Sequence, residues 1–230
     1  PVPDGDTGTN MCLTLGSAAN ELRKNGASPT LTATADRVAS ALLRGARGNS
    51  GVILSLLFRG MSKGLKKHET ASAVEYAAAM GSGVDAAYKA VMKPAEGTIL
   101  TVSRLAAEAA VNCAQQTSDI EELLDSALTS ARAALADTIN QNPVLTKAGV
   151  VDAGGYGYVR MLEAMLAYLR GEALVLPADT PRGVVDVAFM GHPLGQVKNI
   201  GTRANNLYPK PWRIKTTHTA NEYEPIIIKI

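Results

Sequence analysis

From Gly8 to Glu172, apolar residues recur at intervals of three and four among alanine, leucine and other good helix formers, with turn-forming residues breaking the pattern at regular spacing. This predicts seven helices, over about Thr9–Lys24, Thr32–Arg47, Asn49–Lys67, Thr70–Met92, Gly97–Gln116, Ser118–Asn140 and Gly155–Gly171. Val38, Leu42 and Ala46 fall four apart in the second, and Val52, Ile53, Leu56 and Leu57 form one face of the third. Asn25-Gly26 stops the first and Pro94 ends the fourth, while Ser118 with Glu121 three residues later fits a capping box for the sixth. The run "KGLKKH" places cations at the third helix's C-terminus, where the dipole favours them. "NPVLTKAGVVDAGG" reads as a long connection with apolar anchors of its own. Seven amphipathic helices joined by short loops predict an all-α, antiparallel up-and-down bundle.

After Glu172 the pattern is lost. The segment is rich in proline, glycine and asparagine and holds the only tryptophan, Trp212. "VVDVAFM" and "EPIIIKI" could be strands, but neither has a clear hairpin partner in the sequence. The expected division is a helical domain over 1–172 and an irregular tail, or part of a second domain, over 173–230.

Charge narrows the function classes. The 230 residues carry 23 basic and 21 acidic side chains, a net charge of +2, with no basic cluster interleaved with aromatics, so nucleic-acid binding is not expected. No apolar stretch approaches the ~20 residues that span a bilayer. Cys12 and Cys113 lack CxxC spacing and read as buried reduced thiols of a cytoplasmic protein. His68, His192 and His218 fall in unpatterned loops and read as solvated.

The polar residues that look chemical cluster at loop-to-helix junctions. "PDGDTGTN" precedes the first helix, "GARGNSG" the third, "KPAEGT" the fifth and "VDAGGYG" the seventh. These are alternate helices, so an up-and-down bundle brings all four N-termini to one end. Unpaired backbone N–H groups and the helix dipoles there favour an anion. Gly48, Gly51, Gly154 and Gly155 would let a phosphate approach the backbone, and Asn49, Ser50 and Thr98 supply donors. Asp4 and Asp6, one residue apart, would repel each other unless a cation lay between them. Magnesium-bound polyphosphate accounts for both sets of residues. Each piece has a plainer reading: Asp4-Gly5-Asp6 as a turn and N-cap, "GNSG" as an ordinary helix start, Asp152 as a cap, Arg44 and Arg47 as exposed charges.

"PVPDGDTGTNM", "GARGNSGVIL", "KPAEGTILTV" and "VVDAGGYG", in this order, resemble the DhaL-like nucleotide-binding domain shared by dihydroxyacetone kinases and the ATP-binding component of bacterial fatty-acid kinase, with the wording nearer the latter. The resemblance covers about 1–172 and implies a barrel of eight antiparallel helices holding Mg-ATP at one end. Seven helices are counted here. The absent one would be the first, upstream of Pro1, which fits a chain without an initiating methionine that reads as a fragment and leaves an apolar groove exposed. By position, the resemblance implies Asp4 and Asp6 as magnesium ligands and catalytic residues, a further metal ligand lying upstream of this chain. It implies Thr7, Thr9 and Asn10 along the metal and phosphate site, Gly48, Asn49, Ser50 and Gly51 as the phosphate loop, Thr98 at the nucleotide, and Asp152 with Gly154 in the loop closing over it.

The activity implied is transfer of the γ-phosphate of ATP, with Mg²⁺, to a fatty acid carried by a lipid-binding, DegV-like partner protein. A dihydroxyacetone kinase working with a dihydroxyacetone-binding subunit is the alternative. A nucleotide-binding or interaction module without turnover is a third reading, and a homodimer is compatible with all three.

Overall fold

The computed structural model describes residues 5–25, 30–66, 68–171, 181–189, 192–201 and 204–207. Among them are helices α1 (Thr7–Asn25), α2 (Leu31–Gly45), α3 (Gly48–Gly64), α4 (Ala73–Ala90), α5 (Ile99–Cys113), α6 (Ile120–Gln141), α7 (Pro143–Ala148) and α8 (Ala153–Arg170). The fold is all-α, and the seven long helices follow the apolar periodicity to within a few residues at each end.

The short helix α7 arises inside the stretch read as a connection. Asn142 accepts a hydrogen bond from the Val144 N–H, Pro143 opens the helix, and Gly149 ends it in the left-handed conformation at φ 68°. Its few residues are below the length at which periodicity can be recognised. The sixth predicted helix also starts differently. Asp119, not Ser118, is its cap, and accepts from the Glu121 N–H at 2.7 Å. Glu121 cannot fold back onto the cap because its buried carboxylate is held by Arg170 Nε at 2.5 Å, joining the first turn of α6 to the last of α8. The reciprocal capping box occurs instead at α4, between Ser72 and Glu75.

Each long helix packs on the next, α6 passes over α7 to α8, and α8 returns to α1, so the long helices form a closed ring with further α1–α3 and α5–α8 contacts. α8 meets α1 at the seam of the ring. Met11 of α1 is buried at the seam, so close to α8 that a methyl group on Gly157 would lie 2.7 Å from its sulfur. The core alternates leucines such as Leu42, Leu54, Leu100, Leu124 and Leu162 with alanines that let backbones approach.

Beyond α8, β1 (Gly183–Phe189), β2 (His192–Asn199) and β3 (Ala204–Asn206) form an antiparallel sheet in the order β1-β2-β3. The "VVDVAFM" run therefore does find a partner, with Val185 opposite Val197 and a bulge at Val187/Ala188. The partner "HPLGQVKN" carries proline and glycine and lacks alternation, which hid it as a strand. β2 lies against α1. "EPIIIKI" falls outside the described residues. No described helix is long and apolar enough to cross a membrane.

α3 and α4 approach through glycine. A methyl group on Gly83 would stand 2.6 Å from the Leu57 carbonyl oxygen, whereas one on Gly81, two residues away in α4, would meet nothing within 4 Å. Gly83→Ala is expected to destabilise the protein by about 1–3 kcal/mol through overpacking, and Gly81→Ala to stabilise it by about 0.5–1 kcal/mol through the removed backbone entropy. Urea unfolding of the two variants checks both signs.

Candidate functional site

The ring topology puts the N-termini of α1, α3, α5 and α8 at one end. At α1, the Asn10 amide donates to Asp6 Oδ2 at 2.8 Å, pairing the two residues one helical turn apart. Gly48 opens α3 at φ 56° against this pair: a side chain there would collide with Asn10, its Cβ lying 2.4 Å from Nδ2. Gly51, buried in the first turn of α3, meets α1 in the same way, 2.2 Å from Thr14 Oγ1. Asp6, Asn10, Gly48 and Gly51 thus form one cluster, with Asn49 exposed and Ser50 half-buried beside it. Thr7 and Thr9 lie in the first turn of α1, Thr9 exposed. Asp4 falls outside the described residues.

A second cluster joins α5 to α8. Asp152 caps α8, its Oδ2 accepting from the Gly155 N–H at 2.7 Å. Gly154 sits so near α5 that a Cβ would be 3.3 Å from that of Ile99. Burial pushes the Asp152 carboxyl above its ordinary range, against backbone N–H groups of Gly155, Ile99 and Gly154 that favour its charged form. Thr98 caps α5 and its hydroxyl is engaged twice, accepting from the Leu100 N–H at 3.3 Å and donating to the Ala95 carbonyl at 2.8 Å. For Thr98 and Asp152 the plainer capping reading therefore holds alongside any contact with a ligand. The contact of Met11 with Gly157, one turn into each helix, joins the two clusters.

The N-terminus of α3 has no side-chain cap. Side chains cap α2, α4, α5, α6, α7 and α8, whereas Arg47 at the N-cap of α3 makes no side-chain cap hydrogen bond. The first amides of α3 follow an exposed glycine and lie beside Asp6 and Asn10. Its uncapped amides and dipole suit an anion, and the neighbouring donor set of α1 is all oxygen.

Glu96, within "KPAEGT", is a structural residue that its motif did not distinguish. Its carboxylate accepts from Thr101 Oγ1 at 2.7 Å, Arg104 Nη2 at 3.1 Å and the Tyr88 hydroxyl at 3.0 Å. Although partial burial opposes it, these bonds hold the carboxyl below its ordinary value. Elsewhere, Arg44 pairs with Glu21 at 3.2 Å, and the Arg47 guanidinium donates to the Ala46 carbonyl. His68 is not simply solvated, since its Nδ1 lies 3.0 Å from Glu75 Oε1; His192 opens β2, and His218 is outside the described residues. Cys12 and Cys113 form no disulfide and are half-buried.

The DAK2 domain family model matches residues 1–167. The chain belongs to the DAK2 domain family. This is a family of DhaL-like, kinase-related subunits, and the match spans all four site-end junctions of the DAK2 domain described here. A second model, the Methyltransferase RsmF PUA domain, matches residues 161–214, from the second half of α8 through the sheet. The chain is 50% identical over 182 residues to Uncharacterized protein SSP1546 of Staphylococcus saprophyticus and 48% identical over 181 residues to Protein YloV of Bacillus subtilis, covering 79% of this chain and 32% of each relative. Protein SH1689 of Staphylococcus haemolyticus is 47% identical over 174 residues, 76% of this chain and 31% of that protein. The chain therefore spans about a third of the length of these relatives.

Asp152→Ala is expected to cost about 1 kcal/mol through the lost cap, and Asp152→Asn, which keeps a capping oxygen, much less. The folded carboxyl holds its proton to higher pH than the unfolded one, so its contribution to stability falls as pH rises from about 3.9 through the folded value. Urea titrations across that window should show a shallower fall for Asp152→Asn than for the parent.

Proposed function

We propose that this chain is the Mg-ATP-binding component of a kinase that transfers the γ-phosphoryl group of ATP to a fatty-acid carboxylate presented by a lipid-binding, DegV-like partner protein. The observation that carries the reading is the uncapped N-terminus of α3, set by Gly48 against the Asp6–Asn10 pair. Membership of the DAK2 domain family supports it. The ordered motifs, nearer in wording to the fatty-acid kinase branch, support the acceptor.

In this mechanism the N–H groups of Gly48, Asn49 and Ser50 bind the phosphate oxygens, and the N-terminus of α5 at Thr98 adds its dipole. Gly51 and Gly154 keep side chains out of the closest approaches to α1 and α5. Asp152 and Gly154 close the nucleotide side. Asp6, with Asp4, Thr7, Thr9 and Asn10 as further oxygen donors, would hold magnesium. Magnesium held there would supply positive charge to offset that on the transferring phosphoryl group. A fatty-acid carboxylate is already ionised near neutral pH, so no general base is required of this chain. The helical unit of residues 1–172 carries the nucleotide chemistry, and the setting is cytoplasmic, consistent with two cysteines that form no disulfide.

Calorimetric titration of ATP into the chain should show binding that depends on Mg²⁺ and weakens at least tenfold in Asp6→Ala. Absence of magnesium-dependent binding in the parent chain would overturn the reading. Transfer to dihydroxyacetone rather than to a fatty acid, in assays with each type of acceptor partner, would reassign the substrate.

A further inference from the structure

Three threonines on three helices each catch the backbone of one loop at the site end. Thr14 of α1 is fully buried; its hydroxyl donates to the Asn10 carbonyl at 2.7 Å and accepts from the Arg47 N–H at 3.0 Å. Thr101 of α5, 1% exposed, donates to Glu96 Oε2 at 2.7 Å and accepts from the Gly97 N–H at 2.9 Å. Thr138 of α6, also fully buried, donates to the Leu135 carbonyl at 2.7 Å and accepts from the Asp152 N–H at 3.0 Å.

The three amides share a position. Arg47 and Asp152 are the N-cap residues of α3 and α8, and Gly97 directly precedes Thr98, the N-cap of α5. Each lies within the last two loop residues before a helix whose N-terminus faces the candidate site. A hydroxyl suits this task because it discharges its hydrogen to a neighbouring oxygen while a lone pair receives the loop N–H. Ser55 and Ser103, also buried, donate in the same way to carbonyls three residues back in their own helices but accept no loop amide among the described residues. Thr32, at the far end, donates to the carbonyls of Leu65 and His68.

The geometry assigns Thr14, Thr101 and Thr138 a common role as positioning residues: their hydroxyls fix where the amides opening α3, α5 and α8 stand relative to Asp6, and so set the affinity for a phosphate-bearing ligand. This rests on the nucleotide reading given above. Thr14 acts most directly. It sits on α1 one turn beyond Asn10, abuts Gly51, and holds the residue before Gly48, so the metal-side and phosphate-side segments share one anchor.

The test replaces each threonine by valine, which keeps the shape and removes the acceptor, and by serine, which keeps the hydroxyl. Mg-ATP affinity is read by calorimetry, and exchange of the Arg47, Gly97 and Asp152 amides by NMR. Each valine variant is expected to weaken Mg-ATP binding at least tenfold and to speed exchange of its own loop amide, with serine restoring both. Ser55→Ala and Ser103→Ala are expected to lose stability without losing affinity. Where a valine variant does not fold, the alanine variant is read in its place. Valine variants that bind Mg-ATP like the parent would overturn the positioning role and leave the nucleotide reading intact. So would affinity losses that track melting temperature equally in valine, serine and the two control variants. A parent chain that binds no Mg-ATP would sink both.

Discussion

A helix leaves its first backbone N–H groups without partners, and wherever such an end is packed those groups must be satisfied. The closed ring brings four such ends together. Thr98 and Asp152 answer the demand at α5 and α8 with side chains, but the N-terminus of α3 has no side-chain answer. Its amides are placed by an exposed glycine in the left-handed conformation, packed against an aspartate–asparagine pair. The rest of the site follows from this imbalance: a concentration of positive backbone ends, that of α3 uncapped, beside side-chain oxygens able to hold a hard cation.

The ring can bring the ends so close because its helices touch through small residues. Gly60 and Gly83 allow α3 and α4 to meet backbone to backbone, while Gly51 and Gly157 make room on α3 and α8 for the Thr14 and Met11 side chains of α1. The arrangement depends on shape more than on bulk, with alanines such as Ala18, Ala106, Ala127 and Ala131 wholly buried. Ion pairs reinforce the other end, where Arg170 gathers Glu121 and Asp125 of α6 beneath the last turn of α8.

The long helices and the clustering of their N-termini were legible in the sequence because both depend on local signals: periodicity, caps and glycine placed before a helix. The same signals failed where tertiary structure overrides them. Ser118 and Glu121 have the spacing of a capping box, yet Glu121 is taken by Arg170, 49 residues away. α7 is too short to show a period, and β2 owes its existence to β1 and β3 rather than to its own composition. At the site, Asp6, Asn10, Gly48 and Asp152 announced themselves through motif context. Thr14 and Thr138 did not, since a threonine inside a helix looks unremarkable until the loop it holds, 33 or 14 residues further on, is brought beside it.

Chain direction adds a constraint on traffic around the barrel. α8 begins at the site end and finishes at the other, so the polypeptide leaves the helical unit at Gly171 on the side remote from Asp6 and Gly48. Any later segment that reaches the nucleotide end must therefore run back along the flank of the barrel, and β2 lies against α1. The loops joining α3 to α4 and α5 to α6 share that remote end. They are where length can be added with least disturbance, while the connections of the opposite end are fixed by the backbone positions they must hold.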